Sequence, residues 1–393
     1  MQINNKIDCT DEIERDAGTI IHITEALVGG ILYVLQMIIS AQVESGYNVV
    51  LIHSVRPETP SEEILDDIFP YPIKRIYVPM VTNISIQKDL RALKKISELL
   101  GKLKPDVIHL HSSKAGALGR LAARSLGMAD RTFYSPHGLA FLRRDVSLIK
   151  RGIFLLFEKL GHFLGGTVIA CSDSEGDLAR KVVGRTRVRV VENAISLDDI
   201  SPSINSVVDG VRIVSAGRLC YQKAPWRFKS LAVSLLQENA HFAWIGGGDD
   251  RLLFKDDLGV PDNLKVTGWL ERKIVLKEMQ KANIFVLTSL WEGMPLALIE
   301  AQAIGLPSVV WDVVGSRDVV LDGVTGFVCN NELDFIEKTR LLILDSNLRL
   351  RMGKAGREMA LNRFSSKKMH CNMLDIYGIS EDVKNIGNYP CQV

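Results

Sequence analysis

The sequence lacks most of the marks from which a function is read first. None of its six cysteines (Cys9, Cys171, Cys220, Cys329, Cys371, Cys391) forms a C-x-x-C pair and no histidines cluster beside them, so neither a zinc module nor a disulfide framework is expected. A reducing compartment suits such a chain. No apolar run reaches the roughly 18 residues that a bilayer span requires; the most apolar stretch, 153–171, is interrupted by Glu158, Lys159 and His162. The opening residues, MQINNKIDCTDEIERD, are polar and acidic without an apolar centre, and are expected to be neither a secretory signal nor a transit peptide. A G-x-G-x-x-G fingerprint is missing, which disfavours a nicotinamide or flavin cofactor. A D-x-D carboxylate pair is missing too, so no metal is expected. Recognition helices, fingers and aromatic RNA-binding signatures are equally absent, and nucleic acid is not an expected partner.

What is present is an ordinary globular composition over 393 residues, with 47% hydrophobic and 24% charged residues, which is too long for one typical core and comfortable for two. The net charge of +2 conceals a regional excess. Residues 74–160 hold 17 Lys or Arg against 6 Asp or Glu. Part of this belongs to solvated helix faces such as Arg91, Lys94 and Lys95; the rest suits a field that attracts anions, with lipid head groups or a lipid diphosphate as candidates.

Short β-branched runs alternate with helix-length segments along the whole chain. Strands are expected at Thr19–Thr24, 49–55, Val107–His111, Thr132–Ser135, 168–171 and 188–191, then again at Val211–Ala216, 242–245, 264–267, 284–288 and Ser308–Trp311. Helical patterns such as Ile86–Leu103 and 114–126 fall between them, which predicts an α/β fold with parallel sheets. The polar, turn-rich stretch 193–210 is the best linker. The expected division is a first domain at 1–200, a second at 201–365, and at 366–393 a helix able to cross back to the first domain, followed by a loose tail. In doubly wound sheets ligands bind beyond the carboxyl ends of the strands, so the strand-to-helix turns carry the chemistry.

Three turns stand out. Glu25-Ala26-Leu27-Val28-Gly29-Gly30 follows the first strand, and its glycines allow backbone to approach a phosphate at a helix N-terminus, although a double glycine is as often plain turn geometry. Gly217-Arg218-Leu219-Cys220-Tyr221-Gln222-Lys223-Ala224 leaves the strand Val211–Ala216 with two cations five residues apart, placed to converge on one diphosphate. Trp291-Glu292-Gly293-Met294-Pro295-Leu296 runs into a helix expected to start near Pro295, whose missing N–H costs nothing in a first turn. On one helix Glu292 and Glu300 would stand about 12 Å and about 80° apart. With Glu292 in the preceding loop they serve separate tasks, unlike the paired carboxyls of a glycosidase. The plain alternative makes Glu300 a solvent-facing helix residue.

Taken together, the E-x7-E spacing, the G-R-x4-K turn and the G-G turn resemble the retaining, nucleotide-sugar-dependent glycosyltransferases of family four. Further matches are His109-Leu110-His111, Ser135-Pro136-His137-Gly138, Ser172-Asp173-Ser174-Glu175, Glu192-Asn193-Ala194, and Gly315-Ser316-Arg317-Asp318 with Gly323-Val324-Thr325-Gly326-Phe327. The resemblance spans residues 18–365 and implies two Rossmann-like doubly wound domains facing across a cleft, the GT-B fold. It also implies roles. Arg218 and Lys223 would hold the donor diphosphate, with Gly29 and Gly30 approaching from the other domain. Glu300 would bind the ribose, and Glu292 with the backbone of Gly293, Met294, Pro295 and Leu296 would grip the donor sugar. His137 would lie near the reacting carbon, and the turn of Trp269 near the nucleobase. Ala224 departs from the family's usual glycine.

The implied activity is transfer of a hexosyl or N-acetylhexosaminyl group from a nucleotide-diphosphate sugar, uridine being the favoured base, without a metal and with retention at the anomeric carbon. The wording of 112–123 and 135–144 resembles bacterial enzymes of capsule, exopolysaccharide or O-antigen assembly, which implies a polyprenyl-diphosphate-linked glycan as acceptor and a cytoplasmic, peripheral location. Epimerase, phosphorylase and a non-catalytic nucleotide-sugar-binding subunit are the alternatives. Residues 143–165 combine Arg143, Arg144, Lys150 and Arg151 with many apolar side chains, and either pack on the first sheet or lie on an anionic membrane surface. No catalytic role is expected of His109 or His111.

Overall fold

The computed structural model describes residues 18–81, 83–197, 200–203, 210–253 and 259–379; parts of the expected linker, the first 17 residues and the tail after 379 lie outside the described residues, and with them Cys9 and Cys391. Cys171, Cys220 and Cys329 are free thiols.

The first sheet contains β1 (Thr19–Thr24), β2 (Asn48–His53), β3 (Lys74–Tyr77), β4 (Val107–His111), β5 (Thr132–Ser135), β6 (Thr167–Ala170) and β7 (Val188–Val190), in the spatial order β3-β2-β1-β4-β5-β6-β7. The second contains β8 (Val211–Ala216), β9 (Ala240–Ile245), β10 (Leu264–Val266), β11 (Ile284–Leu287), β12 (Ser308–Trp311) and β13 (Gly326–Cys329), in the order β10-β9-β8-β11-β12-β13. Every neighbouring pair is parallel. Alternation along a strand sends side chains to two helical layers. In β1, Ile21 and Ile23 enter one core while Ile20 enters the other, and in β11 Phe285 and Leu287 oppose Ile284 and Val286.

Two strands were not expected from sequence, β3 and β13, and both are sheet edges. β3 is only half covered, with Lys74 and Tyr77 exposed, so it does not read as an apolar run. β13 starts on Gly326, where an added Cβ would strike the carbonyl of Ser308.

The strand order reverses between β1 and β4 in the first sheet and between β8 and β11 in the second. The crevice of a doubly wound sheet opens at such points. The turns that leave these strands are 25–30, 112–113, 217–223 and 288–295, which include all three turns singled out above. The helix Ser366–Tyr377 lies against the helix Gly29–Glu44 of the first half: Met369, Met373 and Leu374 join that core, and the Ser45 hydroxyl meets His370 Nε2 at 2.9 Å.

Candidate active site

Between the two sheets lies a cleft of about 550 Å³ lined by both halves, and it gathers Gly29, Gly30, His137, Arg218, Lys223, Trp269, Glu292, Gly293, Met294, Pro295, Leu296 and Glu300. Every site residue named from sequence therefore faces one space.

On the first-half side, Gly29 opens the helix Gly29–Glu44 with φ of +53°, which a glycine adopts without strain. A Cβ on Gly30 would stand 3.9 Å from Leu296 Cδ1, so this turn looks straight across at the other domain. The helix N-terminus leaves amides facing the cleft, a favourable place for an anion.

On the second-half side the 217–224 turn is tied to the 290–292 loop. Leu290 N donates to Gln222 O at 2.8 Å, and Thr288 Oγ1 donates to Lys223 O at 2.7 Å. Lys223 Nζ is ion-paired with Glu292 Oε1 at 2.6 Å, while Arg218 is exposed at the mouth. The two cations line the same cleft, but only Lys223 has a carboxylate beside it. Ala224 takes the left-handed conformation at φ 48°, ψ 58° with no solvent exposure. The departure from glycine therefore leaves the turn intact and costs of order 1–2 kcal/mol of backbone strain.

The 292–296 loop is held by the first half. Ser172 Oγ donates to Gly293 O and Asn193 Nδ2 to Met294 O, both at 2.8 Å. A Cβ on Gly293 would lie 2.8 Å from Gly138 N and 2.9 Å from Cys171 Sγ, so only glycine lets the loop approach this closely. Beside it, Ser174 N donates to Asp318 Oδ1 at 2.9 Å, and Gly315 N donates to Asp318 Oδ2 at 3.1 Å. The S-D-S-E, E-N-A and G-S-R-D segments thus work as clamps between the domains.

The helix Leu296–Ile304 begins one residue after Pro295, which occupies the cap position. Glu300 is not the solvent-facing residue of the plain alternative. It is 4% exposed, and burial pushes its carboxyl above the usual range while the ion pair with Arg272 opposes that shift. The Arg272 guanidinium in turn lies 4.6 Å over the ring of Tyr33 from the other half. Arg272 and Tyr33 were missed from sequence, and Ser172 and Gln222 were named only as members of their motifs, because their partners are remote along the chain.

His137 sits at φ +53°, a strained conformation for a non-glycine residue, and the next amide, Gly138 N, donates to Glu175 Oε1 at 2.7 Å. Its ring stacks on His111, with 5.2 Å between centroids. His109 and His111 are fully buried. His109 is satisfied by Ser135 Oγ at 2.8 Å and the Tyr377 hydroxyl at 2.7 Å, outside the cleft. Ligand atoms of His22, His109 and His111 lie within 4.8 Å of one another, yet each of these rings already has both nitrogens hydrogen-bonded.

Residues 28–199 match the description Glycosyltransferase Family 4, and residues 198–359 match Glycosyl transferases group 1. The chain is 30% identical over 344 residues to an Escherichia coli UDP-Gal:alpha-D-GlcNAc-diphosphoundecaprenol alpha-1,3-galactosyltransferase, covering 81% of this chain and 86% of that protein. The chain belongs to glycosyltransferase family 4. This glycosyltransferase is also 26% identical to a capsular polysaccharide biosynthesis glycosyltransferase of Staphylococcus aureus, over 74% of this chain and 81% of the relative. Its GT-B architecture superposes on a sucrose-phosphate synthase of Thermosynechococcus elongatus with a TM-score of 0.76 at 19% identity, covering 92% and 98% of the two chains.

Most of the segment 143–165 forms the helix Leu148–Leu164. It turns Glu158 and Gly161 inward, where Glu158 meets the Tyr134 hydroxyl at 2.8 Å and Arg120 at 3.5 Å. Its apolar side chains face outward: Ile149 is 78% exposed and Phe163 74%, and Ile153, Leu156, Phe157 and Leu160 are exposed on the same stripe. No helix among the described residues is long and apolar enough to cross a membrane.

Proposed function

We propose that this glycosyltransferase moves a sugar from a UDP-sugar, with retention at the anomeric carbon, to a glycan carried on polyprenyl diphosphate during assembly of a bacterial surface polysaccharide. The observation that carries the reading is the Lys223–Glu292 pair at the floor of a cleft closed on the other side by the Gly29–Gly30 helix start. A leaving diphosphate needs positive charge that is already oriented, because reorganisation during bond breaking would raise the barrier. Lys223, Arg218 and the helix amides supply it, and no metal is called on. Glu292 orients the ammonium and lies where the sugar would rest, while Glu300, steadied by Arg272, has a carboxylate to offer the ribose. In a retaining transfer the acceptor hydroxyl attacks from the face that the phosphate leaves and passes its proton to that phosphate, so a separate base is unnecessary.

The Escherichia coli relative is named for a UDP-galactose donor and a diphosphoundecaprenol-linked acceptor. A lipid-linked acceptor lies at the membrane surface. An outward apolar stripe on the helix Leu148–Leu164, flanked by Arg144 and Lys150, suits insertion among the head groups of an anionic membrane from the cytoplasmic side. The reading is tested by a thermal-shift screen of UDP, GDP and ADP sugars. At 100 times the dissociation constant UDP-sugars should stabilise the protein by about 2.7 kcal/mol, and the other bases less. Donor incubated with a lipid-diphosphate glycan should yield an extended glycan; turnover of donor alone, or only with free phosphate, would instead indicate an epimerase or phosphorylase.

A further inference from the structure

Behind His137 runs an unbroken chain of side chains. His137 Nε2 and His111 Nδ1 are 2.9 Å apart, His111 Nε2 and His22 Nδ1 are 2.9 Å apart, and His22 Nε2 lies 2.8 Å from Gln42 Oε1. Within this chain one ring nitrogen has no partner, Nδ1 of His137, and His137 is the one member that lines the cleft. Burial holds His22 and His137 down to about 4, and pushes His111 well below the ordinary histidine value, aided by repulsion from His109, His22 and His137. All three rings are therefore neutral at pH 7, each with one donor and one acceptor nitrogen.

A row of neutral imidazoles joined nitrogen to nitrogen has two hydrogen-bonding states. Either every ring carries its proton on Nε2 or every ring carries it on Nδ1, because one ring of the wrong tautomer sets two donors or two lone pairs face to face. Gln42 breaks the tie. Its amide oxygen accepts only, so His22 must donate from Nε2, His111 must then donate from Nε2 to His22, and His137 from Nε2 to His111. The free end of the relay is a bare lone pair on His137 Nδ1, a buried atom without a partner at the wall of the cleft.

We propose that Gln42, His22 and His111 are positioning residues that lock His137 as its Nε2–H tautomer, so that Nδ1 accepts a hydrogen bond from one hydroxyl of the donor sugar and selects sugars that keep it. This rests on the reading of the cleft as a nucleotide-sugar site and adds what sets its preference. Neighbouring strands put the rings within reach: His22 and His109 are register partners in β1 and β4, and His111 is the last residue of β4.

Long-range ¹H–¹⁵N correlation on the ¹⁵N-histidine-labelled full chain, with His137 assigned by its loss in His137→Ala, reads the tautomer directly and without nucleotide. Protonated Nε2 with bare Nδ1 is expected; a protonated Nδ1 or an exchanging mixture overturns the proposal whatever the donor. UDP-galactose and UDP-glucose are then compared with their monodeoxyfluoro analogues, whose fluorine can accept but not donate. One of them should lose about tenfold in kcat/KM with the native protein, in which Nδ1 is a bare acceptor. Gln42→Leu should erase that difference, and Gln42→Glu, which keeps an acceptor oxygen toward His22, should retain it. A purely structural role for Gln42 predicts that Leu slows all analogues alike, and that result overturns the proposal. If UDP does not stabilise the protein at all, the nucleotide-sugar reading fails separately, and the sugar-selecting role falls with it even where the tautomer is as expected.

Discussion

The two halves share one architecture and line their common cleft with different chemistry. The second half offers charges in pairs, Lys223 with Glu292 and Arg272 with Glu300, with both carboxylates 5% exposed or less. The first half offers a helix N-terminus and one imidazole, His137, backed by a hydrogen-bonded row of neutral rings, with Arg56 and Glu58 also in the lining. Paired charges of this kind stabilise a developing anion without reorganising, whereas a desolvated neutral row can present a fixed lone pair without adding net charge. In the proposed complex the diphosphate lies between the Gly29–Gly30 helix start and Lys223, and the sugar between His137 and Glu292.

The sharpest way to break this contrast is Lys223→Ala, which leaves Glu292 without its cation; sugar transfer should fall by roughly 10²–10³-fold, as for loss of one oriented stabilising group, measured as kcat in a transfer assay. The second is on the first half alone. Glu158→Leu would strand Arg120, 4% exposed beneath the helix Leu148–Leu164, and should lower unfolding free energy by about 3 kcal/mol in urea titration.

Acid separates the halves by sign. The native values of about 4 for His22 and His137 lie below the ordinary 6.5, so between pH 6.5 and 4 the unfolded chain binds protons that the native first half does not. The first half should lose stability over that window, each histidine contributing roughly 2 kcal/mol by pH 5. Glu300, raised by burial, acts the other way, and its contribution grows as pH falls. All five tryptophans lie in the second half. Hydrogen exchange in the first half should therefore quicken with acid before tryptophan fluorescence shifts; simultaneous change would erase the contrast. Smaller still is the membrane term: replacing Arg143, Arg144, Lys150 and Arg151 by Ser should weaken binding to phosphatidylserine vesicles by up to about 1 kcal/mol per charge near the surface. Finally, Ala224→Gly should stabilise the second half by less than about 1 kcal/mol, since relief of the left-handed backbone is offset by the extra freedom of the unfolded chain and by a lost buried methyl.

Much of this was legible along the chain because it is local. Apolar runs bounded by turns marked eleven of the thirteen strands, to within two residues, and the glycine, proline and charge pattern of three turns marked the cleft. What was illegible is what strands bring together. His22 and Gln42 sit twenty residues apart on a strand and a helix, and His111 joins them from β4, so no spacing announces a chain that ends at His137. Arg272 gives no local sign that it shields Glu300, and the outward face of the helix Leu148–Leu164 reads as core until Glu158 is seen beneath it. A buried carboxylate and an exposed phenylalanine both contradict residue type, and only the partner explains either.

The most direct measurement is a crystal structure with UDP bound. The account predicts its diphosphate between the Gly29–Gly30 helix start and Lys223, with Arg218 folded in from the mouth and the ribose against Glu300. UDP bound elsewhere, or in this cleft with the Lys223 ammonium turned away from its phosphates, would contradict it.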